Sequence, residues 1–186
     1  MPRVILDGAH GEELLCDMEA AAREFIDRFE RAPGLWDLVP ARGWTPGQHV
    51  DHVASTHMIL ADRFESAVRE FESGRLAPRP HRGLLQAFFV RLLTQSRKFP
   101  RGGRAIPATQ AAAAPNRSAT LARLRGEVAR YRALVERLAE DDLDRVWAPN
   151  PMTPLRWHYS LPEVLRVHAC HTRHHLLLVE EIARSR

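Results

Sequence analysis

Cysteine, lysine and long apolar stretches are scarce in this chain of 186 residues. Its two cysteines, Cys16 and Cys170, are too few for a disulfide scaffold, so we expect reduced thiols and a cytoplasmic location. No apolar run reaches the roughly 20 residues that a membrane-spanning helix needs. The first residues also lack the apolar stretch and cleavage site of a signal peptide. We therefore expect no membrane partner.

Common signatures of catalysis and ligand binding are missing as well. The sequence contains no Gly-x-Ser-x-Gly nucleophile motif, phosphate-binding loop or dinucleotide fingerprint. The net charge of +4 raises the question of nucleic-acid binding. However, basic residues alternate with acids along predicted helices, as Glu65 and Arg69 do, and no cluster of aromatic and basic residues favours base stacking. We therefore expect no nucleic-acid partner.

Apolar residues recur at intervals of three and four over most of the chain, which predicts helices. The predicted helices cover residues 11–31, 46–72, 82–97, 118–139 and 161 onwards. Capping-box patterns mark the second start, Thr45-Pro46-Gly47-Gln48, and the last, Ser160 with Glu163. The stretches 98–116 and 141–159 are predicted to be irregular, with no strand pair. This pattern predicts a single all-α domain over residues 1–186, an antiparallel four-helix bundle with an extra short helix and crossover loops.

Three of the ten histidines carry the strongest functional signal. His171 and His175 lie four residues apart in the last predicted helix, so both imidazoles project from one helix face. His52 lies in the second predicted helix. One imidazole from one helix and two from another can form an open metal site, in which a fourth coordination position stays available for water or substrate.

The position of the pair on its helix supports a metal site. On a helical wheel, His171 and His175 fall within the apolar stripe that should face the core. The same stripe carries Leu161, Val164, His168, Val179 and Ile182. A polar side chain buried there needs a partner. The alternative interpretation is that these histidines are core residues with hydrogen-bond partners. A lone histidine would favour that interpretation, whereas two at this spacing, with a third available, favour a metal site.

The residues around the predicted site resemble a known family, the DinB-like (damage-inducible) metalloprotein superfamily. The resemblance rests on Trp44-Thr45-Pro46-Gly47-Gln48, then His52 and Arg63, then His171 and His175. It covers about residues 12–184. It implies a four-helix bundle, often a homodimer, that holds a divalent metal with three histidines. Better-understood members are bacillithiol- and mycothiol-dependent S-transferases and isomerases; others are labelled metal-dependent hydrolases.

The resemblance implies His52, His171 and His175 as the ligands of a divalent metal, with zinc or nickel favoured. His49 lies one turn before His52 on the same side and is a rival ligand, although the family position favours His52. His168 shares the face of the C-terminal pair and is either a supporting group or a fourth ligand. The simpler interpretation makes each of His49 and His168 a core residue or a group that supports the ligands.

Arg63 is a candidate substrate-binding residue. It follows His52 by eleven residues, which returns it to the same helix face about 16 Å further along the axis. An arginine there can clamp a carboxylate of a substrate or of a thiol cofactor. A salt bridge explains it equally well. The segment 98–116, with Arg101 and Arg104, is either a lid over an anionic ligand or a crossover loop.

Three neutral imidazoles leave a bound metal its positive charge and an open position. Such a metal can lower the pKa of bound water to about 7, or it can hold a thiol as the reactive thiolate. The resemblance favours the second use, so we expect a small-molecule thiol S-transferase that uses a low-molecular-weight thiol. The alternatives are a metal-dependent hydrolase and a non-catalytic metal-binding or stress-response module. Leu177, on the polar face of the last helix, agrees with a homodimer.

Overall fold

The computed structural model describes residues 11–95, 105–152 and 157–185. The described elements are α1 (Gly11–Arg31), α2 (Pro46–Glu72), α3 (Leu84–Gln95), α4 (Arg117–Glu136), α5 (Glu140–Leu143), β1 (Trp147–Pro149), β2 (His158–Ser160) and α6 (Leu161–Arg184). Single turns of 3-10 helix lie at Pro33–Leu35 and Pro107–Thr109. None of the described helices combines the length and apolarity needed to cross a membrane.

Capping boxes fix where the two histidine-bearing helices begin. The Thr45 side-chain oxygen accepts a hydrogen bond from the Gln48 amide at 3.3 Å, and Gln48 Oε1 accepts one from the Thr45 amide at 2.9 Å. Ser160 and Glu163 make the same reciprocal arrangement at the start of α6. These contacts satisfy amide groups that the first turn of a helix otherwise leaves without partners. The predicted starts of both helices are therefore confirmed.

Helices α1, α2, α4 and α6 form the bundle. Both α1 and α2 pack mainly against α4 and α6, so these two consecutive helices occupy opposite corners. The ion pair Asp51–Arg123 joins an early residue of α2 to an early residue of α4, and Glu65–Arg130 joins later residues of the same two helices. These two helices therefore run parallel, which the long crossover through α3 allows.

Other contacts give the remaining helix directions. His49 contacts His175, whereas His57, further along α2, contacts Thr172, so α2 and α6 run antiparallel. Helix α1 is antiparallel to α4, as the ion pairs Glu19–Arg132 and Glu30–Arg125 show. It is parallel to α6, as the ion pairs Asp17–Arg173 and Arg28–Glu180 show. The predicted four-helix bundle with crossover connections is confirmed. The antiparallel arrangement that the sequence predicted holds for two of the neighbouring pairs, α1 with α4 and α2 with α6, whereas α2 with α4 and α1 with α6 run parallel.

Two clusters of buried apolar side chains form the core. One includes Leu15, Phe64 and Val164 and extends to the two strands. The other includes Phe25 and Val53, together with side chains near the end of α6. Burying an apolar side chain of this size stabilises a fold by about 1.5–3 kcal/mol. Along α6, Ala169 of the first cluster and Leu176 of the second flank the histidine pair. On α2, Val50 and Val53 of the second cluster flank His52, so apolar packing holds both helices around the histidines.

The sequence predicts a wholly irregular stretch over 141–159, and the structure contradicts this prediction. The stretch contains the end of the short helix α5 and strand β1, which pairs antiparallel with β2 so that Trp147 lies opposite Ser160 and Pro149 opposite His158. Strands of three residues are too short for the alternating pattern that identifies a strand in a sequence. The predicted helix 82–97 is helical over Leu84–Gln95.

Candidate metal centre

The side chains of His52, His171 and His175 converge inside the bundle. The His171 Nε2 atom lies 3.3 Å from His52 Nε2 and 3.0 Å from His175 Nε2. All three residues are buried, with 8%, 6% and 7% of their surfaces exposed. Each offers one nitrogen within 4.8 Å of the others, and together they form a group able to hold a metal ion. The structure thus brings together the three histidines that the sequence singles out.

The geometry and the charge of the three rings suit a divalent metal. In tetrahedral zinc sites with Zn–N distances of about 2.0–2.1 Å, neighbouring ligand nitrogens lie about 3.4 Å apart, close to the observed separations. Burial lowers the pKa of His52 below its ordinary value of 6.5 and those of His171 and His175 well below it. The rings are therefore neutral near pH 7, which is the form that binds metals.

A backbone carbonyl sets the tautomer of His52. Its Nδ1 lies 2.7 Å from the Thr109 oxygen in the 3-10 turn before α4. Because a carbonyl oxygen can only accept a hydrogen bond, Nδ1 carries the proton and Nε2 keeps its lone pair. That lone pair faces the other two histidines. A hydrogen bond of this kind, on the ring nitrogen that does not bind metal, is typical of metal-ligating histidines.

Asp51, the neighbour of His52, anchors the segment that carries Thr109. Its carboxylate accepts a hydrogen bond from the Ala112 amide at 2.8 Å and one from Arg123 at 2.6 Å. The Gln48 side chain adds a hydrogen bond of 3.2 Å to the Ala112 carbonyl. Sequence reasoning missed Asp51 and Thr109, because a contact between α2 and a distant connection leaves no spacing pattern in the sequence.

His49 supports His175 and does not join the three-nitrogen group. Its Nδ1 lies 2.8 Å from His175 Nδ1, so one of the two rings donates a proton to the other. Burial lowers the pKa of His49 to about 4, which keeps its ring neutral. Trp44 packs over the same region, with its ring centroid 4.9 Å from that of His52. This tryptophan therefore lines the site.

His168 lies outside the three-nitrogen group, in a fully buried layer beside it. Its ring stacks on His57 at a centroid distance of 3.8 Å, and its Nε2 lies 2.8 Å from the Tyr131 hydroxyl. His57 in turn contacts the Thr172 hydroxyl at 3.3 Å. Burial lowers the pKa of His57 to about 3 and that of His168 well below 6.5. These contacts favour the supporting interpretation of His168 over a fourth ligand.

The structure does not bring Arg63 to the histidines. Its side chain is exposed, and it is absent from the described residues that line the cavity beside them. His52 is buried because Trp44 and the turn Pro107–Thr109 cover its flank of α2. Arg63 lies about 16 Å further along the helix, beyond that cover. Arg101 and Arg104, the basic residues of the predicted lid, lie outside the described residues.

A cavity of about 890 Å³ borders the three histidines and extends along α6 in both directions. Its lining residues run from Val167 on α6 to Ser185, the residue that follows the helix, a span of about 27 Å at the helical rise. Beyond His175 the lining is mixed: Trp44, Leu178 and Ile182 are apolar, but this part also carries the charged residues Arg42 and Glu181, and we call it the polar side for that reason. Before His171 it is mainly apolar and includes Leu60, Phe89, Leu93, Met152 and Val167. A ligand can therefore approach the histidines from either side.

Comparison with known proteins agrees with this architecture. The family profile described as the DinB superfamily matches residues 17–179. The chain belongs to the DinB superfamily. The resemblance inferred from the motif around His52 and from the late histidine pair is therefore confirmed.

A solved structure shares the fold of this DinB-superfamily chain. YfiT from Bacillus subtilis superposes with a TM-score of 0.64 at 21% sequence identity, covering 100% of this chain and 92% of that one. It is described as a probable metal-dependent hydrolase with an unusual four-helix bundle topology. No curated protein matches the chain. At this level of identity the likeness establishes the common fold.

Proposed function

We propose that this DinB-superfamily protein is a metal-dependent enzyme that transfers a low-molecular-weight thiol to an electrophilic small molecule. The observation that carries the proposal is the cavity, which extends on both sides of His52, His171 and His175. Two organic molecules can therefore meet at one site, as S-transfer requires. A bound divalent metal, zinc or nickel in this proposal, supplies a Lewis acid with an open coordination position.

The residues of the chain have distinct roles in this proposal. His52, His171 and His175 hold the metal, while the Thr109 carbonyl and His49 orient the rings of His52 and His175. The polar side of the cavity receives the thiol. In the reaction, the thiol sulfur forms a bond to the electrophilic carbon, the bond to the leaving group breaks, and the thiol proton ends on the leaving group.

Hydrolysis is the second candidate. It is favoured by the shared fold with YfiT, which is described as a probable metal-dependent hydrolase. The same three neutral imidazoles suit a metal that activates water. Hydrolysis needs room for one organic substrate only, so the second half of the cavity would have no role in that reaction. Turnover that is independent of thiol would identify a hydrolase.

A non-catalytic metal-binding module would be favoured by a core that closes off the histidines. The cavity instead borders all three of them, which favours an enzyme.

We also propose a homodimer, supported by Leu177, whose side chain is 56% exposed on α6. A cytoplasmic location is a further proposal, supported by the cysteine content, since two cysteines are too few for a disulfide scaffold.

The test is formation of a thioether by the purified protein loaded with zinc or with nickel. Bacillithiol, mycothiol and cysteine are each paired with monobromobimane, and the products are identified by mass spectrometry. We expect metal-dependent product above the uncatalysed rate, loss of that product in His171→Ala, and no loss in His81→Ala, since His81 is exposed on the connection between α2 and α3. Uncatalysed rates with every pair would overturn the proposal.

A further inference from the structure

The end of the cavity that lies before His171 differs in character from the rest. Leu60 and Val167 line it from the two histidine-bearing helices, and both are largely buried at 1% and 7% exposure. Phe89 and Leu93 line it from α3, and Met152 lines it from the turn after β1. These five side chains, which we call the apolar end, line a part of the cavity that continues to His171 and His175. The polar residues Asn150, Tyr159 and His168 line the same part.

Helix α3 presents distinct side chains to the cavity and to its outer surface. Leu93 is 2% exposed, and Phe89 is half-buried with its ring centroid 5.3 Å from that of Trp157. The adjacent Phe88 is instead 64% exposed and is not a lining residue. Substituting each of these neighbouring phenylalanines in turn therefore distinguishes an effect of the apolar end on ligand binding from a general effect of apolar surface on α3.

We propose that the apolar end is a subsite for the apolar part, an alkyl chain or an aromatic ring, of the electrophilic substrate. The inference rests on the proposed function, since it places the polar, reacting end of that substrate at the metal. With a lining of this kind, the binding free energy comes mainly from the removal of apolar surface of the substrate from water. The polar side of the cavity is then left for the thiol.

The distance from the histidines to the apolar end suits a substrate of moderate length. Leu60 follows His52 by eight residues on α2, about 12 Å along the helix axis. Val167 precedes His171 by four residues on α6, about 6 Å along its axis. A substrate held at the metal by a polar group therefore reaches these side chains progressively as its apolar part becomes longer. Affinity should rise with chain length and then level off.

Alkyl hydroxamates test the subsite without requiring turnover, because their polar group chelates metals and their chain length varies. Binding of acetohydroxamate, butyrohydroxamate, hexanohydroxamate and octanohydroxamate to zinc-loaded protein is measured by calorimetry. Full burial of one methylene corresponds to about a 4-fold gain in affinity. We expect about a 2- to 4-fold gain for each added methylene, because each is partly or fully buried in the apolar end. Phe89→Ala should flatten this dependence and leave acetohydroxamate binding unchanged, whereas Phe88→Ala should alter neither.

A second readout does not depend on the metal. N-phenyl-1-naphthylamine, an uncharged apolar dye, is added to metal-free protein, and the increase in its emission is compared among the parent, Phe89→Ala, Met152→Gln and Phe88→Ala. We expect less dye binding in the first two variants and no change in the third.

The two readouts separate the failure of the subsite from the failure of the metal site. If acetohydroxamate does not bind while the dye distinguishes Phe89 from Phe88, the metal-dependent function fails and the apolar subsite stands. If acetohydroxamate binds but chain length has no effect, the subsite is overturned. Equal loss of dye binding in Phe88→Ala and Phe89→Ala also overturns it.

Discussion

The Nδ1 atom of His52 lies 2.7 Å from the Thr109 carbonyl oxygen, and this contact joins α2 to a connection 57 residues further along the chain. It leaves the Nε2 atom of His52 as the lone-pair donor that faces His171 and His175. The orientation of one proposed ligand thus depends on the placement of a segment that contains no proposed ligand itself. Asp51, which binds the Ala112 amide at 2.8 Å, fixes that placement.

We predict that Asp51→Ala weakens metal binding by about 10- to 100-fold, the usual effect of losing a group that orients a metal ligand. Without the carboxylate, the segment from Thr109 to Ala112 is no longer held against α2. Asp62→Ala is the matched control, because Asp62 is an exposed acid of the same helix paired with Arg130 at 2.6 Å. Competition with a chromophoric chelator measures both affinities. Equal affinities in the two variants would contradict the role of Asp51.

Replacing the proposed ligands should remove the metal entirely. We expect about one zinc or nickel per chain in the parent, because three imidazoles form one open site, and none in His52→Ala or His171→Ala. His81→Ala, which changes an exposed histidine, should keep the metal. Elemental analysis of protein purified without chelator gives these stoichiometries. Metal retained in both ligand variants would show that it binds elsewhere.

His49→Leu should lower the affinity for the metal and keep the stoichiometry of the parent. The His49 Nδ1 atom contacts His175 Nδ1 at 2.8 Å, so its loss frees the His175 ring without removing a ligand nitrogen. We expect a decrease of about 10- to 100-fold. Chelator competition and elemental analysis together distinguish the possible roles. A complete loss of metal would make His49 a ligand, and an unchanged affinity would make it a packing residue.

Acid should destabilise the metal-free protein, in part through His57. Its pKa is lowered from 6.5 to about 3 in the folded state, because it is fully buried. Above pH 6.5 the ring is neutral in both states; as the pH falls towards 3, the unfolded state binds a proton that the folded state excludes. Between about pH 7 and pH 5, this one group should lower the free energy of unfolding by about 2 kcal/mol.

Urea unfolding of metal-free parent and His57→Gln at the two pH values measures this effect. The glutamine does not titrate, so the variant should lose about 2 kcal/mol less stability on acidification than the parent. The other buried histidines are present in both proteins. The pKa of His168, whose ring stacks on His57, is lowered mainly by burial, which the variant retains, so the difference between the two proteins reports on His57. The same pH dependence in both proteins would show that His57 does not exclude the proton.

The proposed homodimer should depend on the exposed apolar surface of α6. Leu177→Glu places a charge where the Leu177 side chain is 56% exposed, so it should convert a dimer into a monomer. Val39→Glu, at a position 68% exposed before α2, should leave the dimer intact. Sedimentation velocity separates the two species. A monomeric parent would contradict the homodimer directly.

Much of the fold could be predicted because its signals are local. The bounds of α1 and α2 follow from apolar residues at intervals of three and four, from the capping box at Thr45 and from the helix-stopping residues after Arg31 and Glu72. The pair β1 and β2 could not be predicted. Each strand has three residues, and their pairing depends on a contact between separate segments.

The sequence by itself determined the long helices and the pair His171 and His175, because a spacing of four on one helix face needs only the geometry of that helix. The preference for His52 over His49 came from the resemblance to the DinB-like superfamily. Only the tertiary structure decided that Thr109 orients His52, that Asp51 holds Thr109 in place and that Arg63 lies outside the cavity. It also decided that the cavity has a polar and an apolar side. These features depend on which distant segments pack together, and such contacts leave no periodic signal in the chain.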